Sequence, residues 1–406
     1  MNLVLFAHYF PYKRSEPFLV TEFKAAGKYF SSISIFTLYG GQPNSSINTA
    51  TATCYKPIFD SGSKVKLFFK GLFNLAPFGF HIRELIQKNI LFKPKKAYWW
   101  FVSVLVTRSI LSSSSYKQMV ADLKQNGPAT LYFYWGDNLC WIIPYLQKQL
   151  AGKHKIVVRL HGSDLYEHIK ADYAPLRTDI FKAVQAIYTV SENGKKYLAN
   201  RYPAFAGKMH LARLGVFDNG LNPPTDSAQK VIMSVSNLIP LKRVHLIFEA
   251  LQAMNAEITW HHFGDGPLMP DMVALASTAR KGLHITFHGF VKNEEVMNFY
   301  KRNPVNVFIN VSTSEGVPVS IMEAFSFGIP VIATNVGGTS ELVNAQTGVL
   351  LKKDLTVNEL AEAIKHIVNA DGHVEKEYRA NARAAFLEKA SLNNYEAFYT
   401  ELKRPA

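Results

Sequence analysis

Two glutamates, Glu315 and Glu323, flank a proline in the stretch EGVPVSIMEAFSFG. Pro318 suits the first turn of a helix, where its missing N–H is not needed. A carboxylate accepts hydrogen bonds from vicinal hydroxyl groups, and the free N–H groups of a first helical turn attract anions. Either glutamate alone would suit a solvated surface, but together they favour a ligand that is anionic in the middle and hydroxylated at both ends. A nucleotide sugar, with its ribose, diphosphate and hexose, is such a ligand.

The elements that position these carboxylates are a predicted strand, a loop and a helix. The strand is Val305–Ile309, the loop is 312–316, and Gly328 ends the helix. This arrangement aims the N–H groups of Val319 and Ser320, together with the positive end of the helix dipole, beyond the end of the strand. We therefore predict an anion site at that position.

Strand-like apolar runs alternate with segments of helical period along the whole chain. Such alternation predicts βα units and parallel sheets, which is the α/β fold class. The predicted strands are 2–7, 32–38, 130–134, 155–160, 186–190, 231–235, 257–263, 284–288, 305–309 and 331–334. Asn, Pro, Asp, Gly and Ser concentrate in residues 217–230, which predicts a hinge between two similar halves. Ligands of such sheets bind at the carboxyl ends of the strands, so we expect the site in the cleft between the halves.

The composition predicts a cytoplasmic protein of two domains without a membrane span. The chain has 406 residues, of which 48% are hydrophobic. Residues 97–106, the longest uncharged apolar run, are about half of the roughly 20 residues that a spanning helix needs. The opening MNLVLFAHYF predicts a first strand rather than a signal peptide. Cys54 and Cys140 lie in unrelated contexts and predict neither a disulfide framework nor a metal site.

The formal net charge of +14 indicates anionic partners. Residues 64–108 carry nine lysines or arginines and one acid, Glu84, with aromatic residues between them. This mixture suits a surface that inserts shallowly among anionic lipid headgroups, which would place the protein on the inner face of the cell membrane. An ordinary insertion with core aromatics and solvated lysines fits as well. No nucleic-acid-binding motif accompanies the charge, so we predict no nucleic-acid partner.

The segment around the two glutamates resembles the E-x7-E signature of the retaining glycosyltransferases of family 4. Gly316 and Pro318 match its "EG-x-P" positions, and the residues GGTSE at 337–341 match its "GG-x-x-E" turn. The resemblance implies a GT-B fold of two Rossmann-like domains with parallel sheets. It also implies that Glu315 contacts the donor sugar and that Glu323 binds the ribose. It covers nearly the whole chain and is strongest over 231–343.

Upstream, VIMSVSNLIPLKRVHLIFEAL resembles the family's first donor-domain strand and helix, in which an R-x4-K pair holds the diphosphate. Lys242 occupies the lysine position, but Asn237 stands where the family has arginine. Neighbouring Arg243 is the candidate substitute. The turn HGFV at 288–291 resembles the family's base-binding turn, which implies base contacts from Phe290 and Val291.

The first half carries the residues that the resemblance assigns to the acceptor side and to the hexose. His161, in VRLHGSDLY, matches a family histidine that contacts the donor hexose. Asp137, in the turn YWGDN, lies at a predicted strand end and is a candidate on the acceptor side, although a packed tryptophan with a capped helix explains that turn better. Ser15 and Glu16 open a predicted helix where many relatives have a glycine-rich loop, and they are further acceptor-side candidates.

The resemblance implies four segments. They are an N-terminal acceptor-binding domain over 1–217 with a basic insertion at about 64–108, a linker over 218–230, a C-terminal donor-binding domain over 231–385, and a C-terminal helix over 386–406 that packs back on the N-terminal domain.

The implied function is retaining transfer of a hexose from a UDP- or GDP-sugar to a glycan or lipid-linked glycan in cell-surface polysaccharide biosynthesis. No Asp-x-Asp pair is present, so the sequence predicts neither a metal nor another cofactor. Two alternatives remain open, a nucleotide-sugar epimerase of the same fold and a noncatalytic protein that binds sugar nucleotides or membranes. A Rossmann oxidoreductase is disfavoured because no G-x-G-x-x-G follows the first strand.

Overall fold

Two parallel β-sheets organise the chain. The computed structural model of the protein describes residues 2–12, 16–42, 44, 52–59, 78–225 and 230–404. Within them the chain divides into two compact units, one of residues 1–213 with 395–406 and the other of residues 214–394. Each unit is described by itself below.

The sheet of the first unit has seven parallel strands in the order β3-β2-β1-β4-β5-β6-β7. Its strands are β1 Asn2–Ala7, β2 Ser32–Thr37, β3 Ala52–Cys54, β4 Ala129–Phe133, β5 Lys155–Leu160, β6 Ala186–Thr189 and β7 Met209–Leu211. The central strands are almost wholly apolar because helices cover both faces of the sheet. Phe6 on β1 and Phe133 on β4 stack at 4.0 Å between ring centroids inside this core.

The helices that belong to this sheet follow its strands. They are α1 Pro17–Ala26, α2 Gly79–Gln87, α3 Pro94–Ser112, α4 Ser114–Gln125, α5 Ile143–Leu150, α6 Gly162–Leu165, α7 Arg177–Ala183 and α8 Glu192–Arg201. Short 3₁₀ turns occupy 90–92, 138–142, 167–170 and 203–208. No described helix is both long enough and apolar enough to cross a bilayer.

The sheet of the second unit has six parallel strands in the order β10-β9-β8-β11-β12-β13. Its strands are β8 Lys230–Val235, β9 Ile258–Phe263, β10 Leu283–Phe287, β11 Val307–Asn310, β12 Val331–Thr334 and β13 Gly348–Leu351. Its helices are α9 Val244–Gln252, α10 Met269–Ala276, α11 Asn293–Arg302, α12 Val319–Ser326, α13 Val357–Val368 and α14 Gly372–Lys389, with 3₁₀ turns at 240–242 and 339–341. The two sheets repeat one doubly wound strand order, as the α/β prediction requires.

Every strand predicted from the sequence is present, with ends within two residues of the prediction. The sequence missed β3, β7 and β13, which lie at edges of the sheets and have only three or four residues each. Edge strands are paired on one side only and are often short, so they carry no long apolar run to detect.

The chain crosses between the units twice. Residues 217–225, within the predicted linker, contain no helix or strand, and β8 begins at Lys230. Within the predicted C-terminal segment 386–406, α14 ends at Lys389 and a further helix, α15, spans Asn393–Leu402, of which residues 395–402 belong to the first unit. Within the first unit, the Tyr188 hydroxyl on β6 donates to Glu401 of α15 at 3.0 Å.

Candidate functional site

Each sheet has one place where its strand order reverses. In the first unit this switch point lies between β1 and β4, and in the second it lies between β8 and β11. The loops that follow the two central strands diverge there to opposite faces, which leaves a crevice at the carboxyl ends of the strands. Polar residues in these four loops are therefore the first candidates for a binding site.

Lys242 and Glu315 meet at the switch point of the second unit. Lys242 follows β8 in the 3₁₀ turn Pro240–Lys242, and Glu315 follows β11. The lysine Nζ lies 2.6 Å from Glu315 Oε1, and Asn310 Nδ2 lies 3.4 Å from the same oxygen. The Lys242 and Glu315 side chains are 20% and 12% exposed, so the ion pair remains within reach of a ligand. Two residues that the sequence singled out separately are thus in direct contact.

Arg243 is hydrogen-bonded to the segment that leads from β11 to Glu315. Its backbone has a φ of 49°, a left-handed conformation that non-glycine residues rarely adopt. Its Nε donates to the Val311 carbonyl at 2.8 Å, and the Thr313 N–H donates to the Leu241 carbonyl at 2.9 Å. The side chain of Asn237, where the family has arginine, is exposed. The structure thus gives Arg243 a hydrogen bond to the loop that carries Glu315, and no hydrogen bond joins Arg243 to Asn237 among the described residues.

The two glycines at 337 and 338 enclose the backbone of Glu315 and Gly316. Gly337 has a φ of 55°, and a Cβ atom on it would overlap the carbonyl oxygen of Glu315. The Gly338 N–H donates to the Gly316 carbonyl at 2.6 Å. Only glycine allows this approach, because any side chain at 337 would push the Glu315 loop away.

Helix α12 presents its first turn beside this loop. Pro318 precedes the helix as its N-cap residue, so the prediction that it fills the first turn is wrong by one position. The first-turn N–H groups of Val319 and Ser320 have no intrahelical acceptor. The Ile321 N–H donates to the Pro318 carbonyl at 3.1 Å, and Gly328, with a φ of 71°, follows the end of the helix as predicted.

Glu323 lies in the second turn of α12. Its Oε1 accepts a hydrogen bond of 2.7 Å from Asn293 Nδ2, at the start of α11. Burial raises the pKa of Glu323 to about 7, although the Asn293 hydrogen bond acts in the opposite direction. Oε2 has no protein partner within the described part of the chain, so this oxygen is available to a ligand.

The loops after β8, β9 and β10 interlock through glycines. The Gly264 N–H donates to the Gly289 carbonyl at 2.9 Å, and a Cβ on Gly264 would overlap the carbonyl oxygen of Ser236. Phe290 is 80% exposed, so it does not belong to the core. Val291 is partly exposed beside it, so both residues of the predicted base-binding turn are accessible.

The switch point of the first unit carries a second polar cluster, which the sequence prediction recognised only in part. His8 directly follows β1, and its Nε2 lies 3.2 Å from Asp137 Oδ1 in the turn after β4. Lys170 Nζ lies 2.7 Å from Asp137 Oδ2. Burial lowers the pKa of His8, but the hydrogen bond and charge of Asp137 outweigh it and leave that pKa raised. Burial conversely raises the pKa of Asp137, yet His8 and Lys170 bring that pKa below its ordinary value.

The Glu16 carboxylate binds groups of this cluster and does not point towards a ligand. It is the N-cap residue of α1 by position, but its side chain turns back and makes no cap bond. Its carboxylate accepts hydrogen bonds from the N–H groups of His8, Tyr9 and Phe10 and from Trp135 Nε1 at 2.6 Å. A carboxylate has about four acceptor sites, so little capacity remains for a ligand. The prediction of Glu16 as a direct acceptor contact therefore disagrees with its geometry, and Ser15 lies outside the described residues.

Trp135 lies between two histidine rings. Its ring centroid is 5.8 Å from that of His8 and 4.5 Å from that of His161, which follows β5. Both ring nitrogens of His161 are buried and have no hydrogen-bond partner among the described side chains and backbone. Burial and the charge of Arg159 lower the pKa of His161 well below its ordinary value, so the ring is neutral. A neutral imidazole without partners is suited to a ligand hydroxyl group.

Asp164 joins the turns that carry Trp135 and His161. Its Oδ2 accepts from the Gly136 N–H at 2.5 Å, and its Oδ1 accepts from the His161 N–H at 2.7 Å. Burial and the nearby charge of Asp137 raise the pKa of Asp164 to about 6. In the described ranges no group of three or more His, Cys, Asp or Glu side chains is arranged to hold a metal ion.

Part of the chain is similar in sequence to known proteins. Residues 222–385 match the family model described as glycosyl transferases group 1. The chain is 31% identical over 136 residues to the putative teichuronic acid biosynthesis glycosyltransferase TuaC of Bacillus subtilis, which covers 34% of this chain and 32% of that protein. It is 25% identical over 221 residues to the putative colanic acid biosynthesis glycosyltransferase WcaL of Escherichia coli, which covers 52% of this chain and 54% of that protein. The matched part of the chain thus spans between about a third and about half of the length of these curated relatives.

Solved structures share the fold over nearly the whole chain. A glycosyltransferase from Rickettsia africae has a TM-score of 0.69 and 15% identity, and the match covers 100% of this chain and 99% of the other. HepE of Anabaena in complex with UDP has a TM-score of 0.67 and 15% identity, and the match covers 99% of each chain. At these identities the likeness concerns the fold alone, and it confirms the predicted GT-B class.

Proposed function

We propose that this chain, whose residues 222–385 match the model of the group 1 glycosyltransferases, transfers a hexosyl group from a nucleotide-diphosphate sugar to a glycan acceptor. The observation that carries the proposal is the contact of Lys242 with Glu315 at the switch point of the second sheet. A cation beside a hydroxyl-binding carboxylate matches the junction of a diphosphate and a hexose in the donor.

Lys242 and Glu315 neutralise each other while no donor is bound. When the nucleotide sugar binds, its diphosphate pairs with Lys242. A hydroxyl group of the hexose then donates a hydrogen bond to Glu315. As the bond between the anomeric carbon and the diphosphate oxygen breaks, negative charge grows on that oxygen, beside Lys242 and the first-turn N–H groups of α12. Removing one such stabilising group typically lowers turnover about 10²- to 10³-fold.

The acceptor hydroxyl oxygen forms the new bond to the anomeric carbon, and its proton leaves with the diphosphate. Both groups occupy the same face of the sugar in this front-face reaction, which is the retaining chemistry of the family that the sequence resembles. Glu315 positions the hexose in this scheme and forms no covalent bond with it. We propose that the reaction needs no metal, because Lys242 and the helix N–H groups supply the positive charge.

Glu323 binds the nucleoside end of the donor. Its free Oε2 accepts a ribose hydroxyl, while Asn293 fixes the carboxylate through Oε1. Gly316, Val319 and Ser320 surround the diphosphate, and the backbone at Phe290 and Val291 borders the base. Because HepE was solved with UDP, a UDP-sugar is the first donor to try, and a GDP-sugar is the second.

The first unit is the proposed acceptor side. The ring nitrogens of His161, which have no hydrogen-bond partner among the described residues, are proposed to bind a sugar hydroxyl. His8 is fixed by Asp137, and with the partly exposed Trp135 it offers an acceptor sugar both an aromatic face and polar edges. The names of the relatives favour cell-surface polysaccharide biosynthesis. We therefore propose a glycan or lipid-linked glycan acceptor, met at the inner face of the cell membrane.

The test uses the purified full chain with UDP- and GDP-sugars and measures the nucleoside diphosphate released on addition of glycan acceptors. We expect Lys242→Met and Glu315→Gln each to lower release at least about 10²-fold. The matched controls are Lys352→Met and Glu362→Gln, which remove exposed groups of the same types in the same unit.

Three results would contradict the proposal. Undiminished turnover in the Lys242 and Glu315 variants would show that the pair does not hold the donor. Conversion of the donor to its epimer without any acceptor would indicate an epimerase instead. Donor binding without turnover under every condition would indicate a noncatalytic binding protein, for which the exposed Asn237 in place of an arginine would be the structural reason.

A further inference from the structure

Exposed large apolar side chains are concentrated in one short stretch of the chain, on α2, α3 and the 3₁₀ turn between them. Among the thirteen large hydrophobic side chains exposed in the described part of the chain, six lie within residues 82–101. They are Ile82, Ile86, Leu91, Phe92, Tyr98 and Phe101, and Phe92 is the most exposed at 86%. Scattered exposed apolar residues are ordinary, whereas a concentration of them marks an interaction surface. We call these six residues, with the lysines at 93, 95 and 96, the α2–α3 surface.

The rest of this segment is packed firmly onto the first unit. Glu84 is buried and accepts hydrogen bonds from the Leu176 N–H at 3.0 Å and from the Tyr173 hydroxyl at 2.8 Å. Trp100 Nε1 donates to the His81 carbonyl at 2.9 Å. His81 is buried, and burial lowers its pKa to about 3. The helices that carry the exposed apolar side chains are therefore held in place by buried contacts.

The structure also decides which basic and aromatic residues of the predicted insertion face outward. Trp100 Nε1 donates to the His81 carbonyl and Lys170 lies over the Trp99 ring at 5.7 Å, so both partly exposed tryptophans make contacts within the first unit. Residues 64–77 of the predicted segment lie outside the described residues. The aliphatic residues at 82, 86 and 91, which the sequence prediction did not emphasise, provide much of the exposed area instead.

Three lysines on this surface keep an uncompensated charge. Lys88 is paired with Glu84 at 2.8 Å, and Arg83 is paired with Asp179 at 3.0 Å. Lys93 Nζ and Lys96 Nζ donate only to carbonyl oxygens, those of Lys88 and Asp172. Lys95 is exposed, and no carboxylate of the described chain lies within ion-pair distance of these three lysines. Positive charge thus adjoins the exposed Leu91 and Phe92.

We propose that the α2–α3 surface docks the protein on an anionic lipid bilayer, with Leu91 and Phe92 inserted among the headgroups and the adjoining lysines facing lipid phosphates. Apolar side chains flanked by unpaired lysines are complementary to such an interface, which combines a negative surface with acyl chains below it. A protein partner would more commonly meet a surface depleted of lysine. The proposal deepens the proposed function by stating where a lipid-linked acceptor is met, and it rests on that function in this respect alone.

The surface is linked to the acceptor-side residues through Lys170. The same ammonium group that lies over the Trp99 ring of α3 pairs with Asp137 Oδ2 at 2.7 Å. Asp137 in turn contacts His8 at 3.2 Å. Docking through the α2–α3 surface would therefore bring the acceptor-side cluster close to the lipid phase.

The test is flotation of the full chain with vesicles of phosphatidylcholine alone and with vesicles that contain phosphatidylglycerol, without any sugar donor. We expect flotation with the anionic vesicles only, and we expect it to decrease as salt is raised. Leu91→Ser/Phe92→Ser should abolish it, and Lys93→Gln/Lys95→Gln/Lys96→Gln should weaken it about fivefold for each lysine removed. The matched controls are Val273→Ser/Leu387→Ser, at two positions that are each 52% exposed, and Lys281→Gln/Lys352→Gln/Lys353→Gln.

The proposal would be overturned if neither set of variants at 91–96 differed from its control, or if the unmodified chain failed to float. A change from dimer to monomer on Leu91→Ser/Phe92→Ser, with flotation unchanged, would assign the surface to a second copy of the chain. Because no donor or turnover enters this measurement, its failure would leave the proposed transferase function intact. Loss of turnover in the Lys242 variant would likewise leave the docking result intact.

Discussion

Three glutamates show how surroundings give one residue type different functions. Glu315 pairs with a lysine and remains partly exposed, which suits a group that exchanges partners when a ligand arrives. Glu16 has its carboxylate filled by backbone N–H groups and an indole, which suits a fixed structural role. Glu323 has one oxygen held by an amide and a pKa raised to about 7 by burial, which makes it sensitive to pH near neutrality.

The raised pKa of Glu323 predicts a conflict between stability and binding. The folded protein holds this proton more tightly than the unfolded chain, whose pKa is the ordinary value of 4.5. The stability contributed by the group is therefore full below about pH 4.5 and is lost as the pH rises towards about 7. We expect Glu323→Gln to raise the melting temperature at pH 8 by about 2–4 °C, a modest shift because the side chain is partly exposed, and to change it little at pH 5.

The same substitution should weaken binding of UDP or GDP at pH 8 about tenfold, because a charged acceptor for the ribose hydroxyl is lost. Thermal melting and calorimetric titration at both pH values measure the two effects. Glu362→Gln, at an exposed carboxylate of the same unit, should produce neither. A lower melting temperature for Glu323→Gln at pH 8 would contradict the assignment.

At the scale of the elements, the site depends on the loops between strands and helices more than on the helices themselves. Lys242, Glu315 and His8 all lie in segments that directly follow a central strand. Their positions are fixed by backbone contacts between loops, such as the bond between Gly338 and Gly316. The sheets determine where each loop begins. The contacts between the loops then hold the side chains of the site close to the positions that catalysis requires.

Gly337→Ala should therefore impair turnover without touching the donor. The new Cβ would overlap the Glu315 carbonyl, and the left-handed backbone adds about 1–2 kcal/mol of strain. A displacement of about 1 Å in a positioning group can lower turnover about 10²-fold, and we expect a loss of that order. The measurement is the rate of nucleoside diphosphate release at saturating donor.

The control for this prediction is Gly152→Ala in the first unit. Gly152 also has a positive φ, of 72°, but a Cβ there would meet only the Gln147 side chain at 3.9 Å. It should carry a similar backbone strain while leaving turnover unchanged. Equal loss of turnover in both variants would show that the Glu315 loop has no special dependence on Gly337.

At the scale of the whole molecule, the chain ends in the unit where it began. Helix α15 is held in the first unit by a buried network around Glu22 on α1 and Arg159 on β5, which form an ion pair of 2.8 Å with both side chains fully buried. Glu22 also accepts from the Tyr132 hydroxyl at 2.8 Å and from the Tyr399 hydroxyl of α15 at 3.2 Å. Burial raises the pKa of Glu22, and these three partners act against that rise. Residues from the start, middle and end of the sequence thus depend on one another.

Arg159→Met should destabilise the first unit by about 3–5 kcal/mol, because it leaves the carboxylate of Glu22 buried without its cation. Urea unfolding followed by tryptophan fluorescence measures the loss. Glu22→Gln/Arg159→Met should recover part of that loss, since the amide keeps an acceptor for the two tyrosines and carries no charge. A double variant as unstable as the single one would show that packing, not charge, is responsible.

Particular residues show what could be predicted from the sequence. Lys242 and Glu315 both belong to short motifs of the family that the sequence resembles, and the structure places them in contact. His8 was missed, since a single histidine after a strand has no local signal. Asp137 was identified only as a weak candidate, because its partners His8 and Lys170 are distant in the chain. The exposed face of α2 was also missed, because both its buried and its exposed positions carry apolar residues.

The amino-acid sequence by itself determined the alternation of strands and helices and the two-fold repetition of the sheet. These follow from periodicity and spacing, which act between residues a few positions apart. The residues assigned to the donor motif come from the family resemblance. The tertiary structure decided that Glu16 is enclosed, that His8 faces Asp137 and that Leu91 and Phe92 face outward. These outcomes depend on which distant elements come into contact where the strand order reverses. Local sequence periodicity carries no information about such contacts.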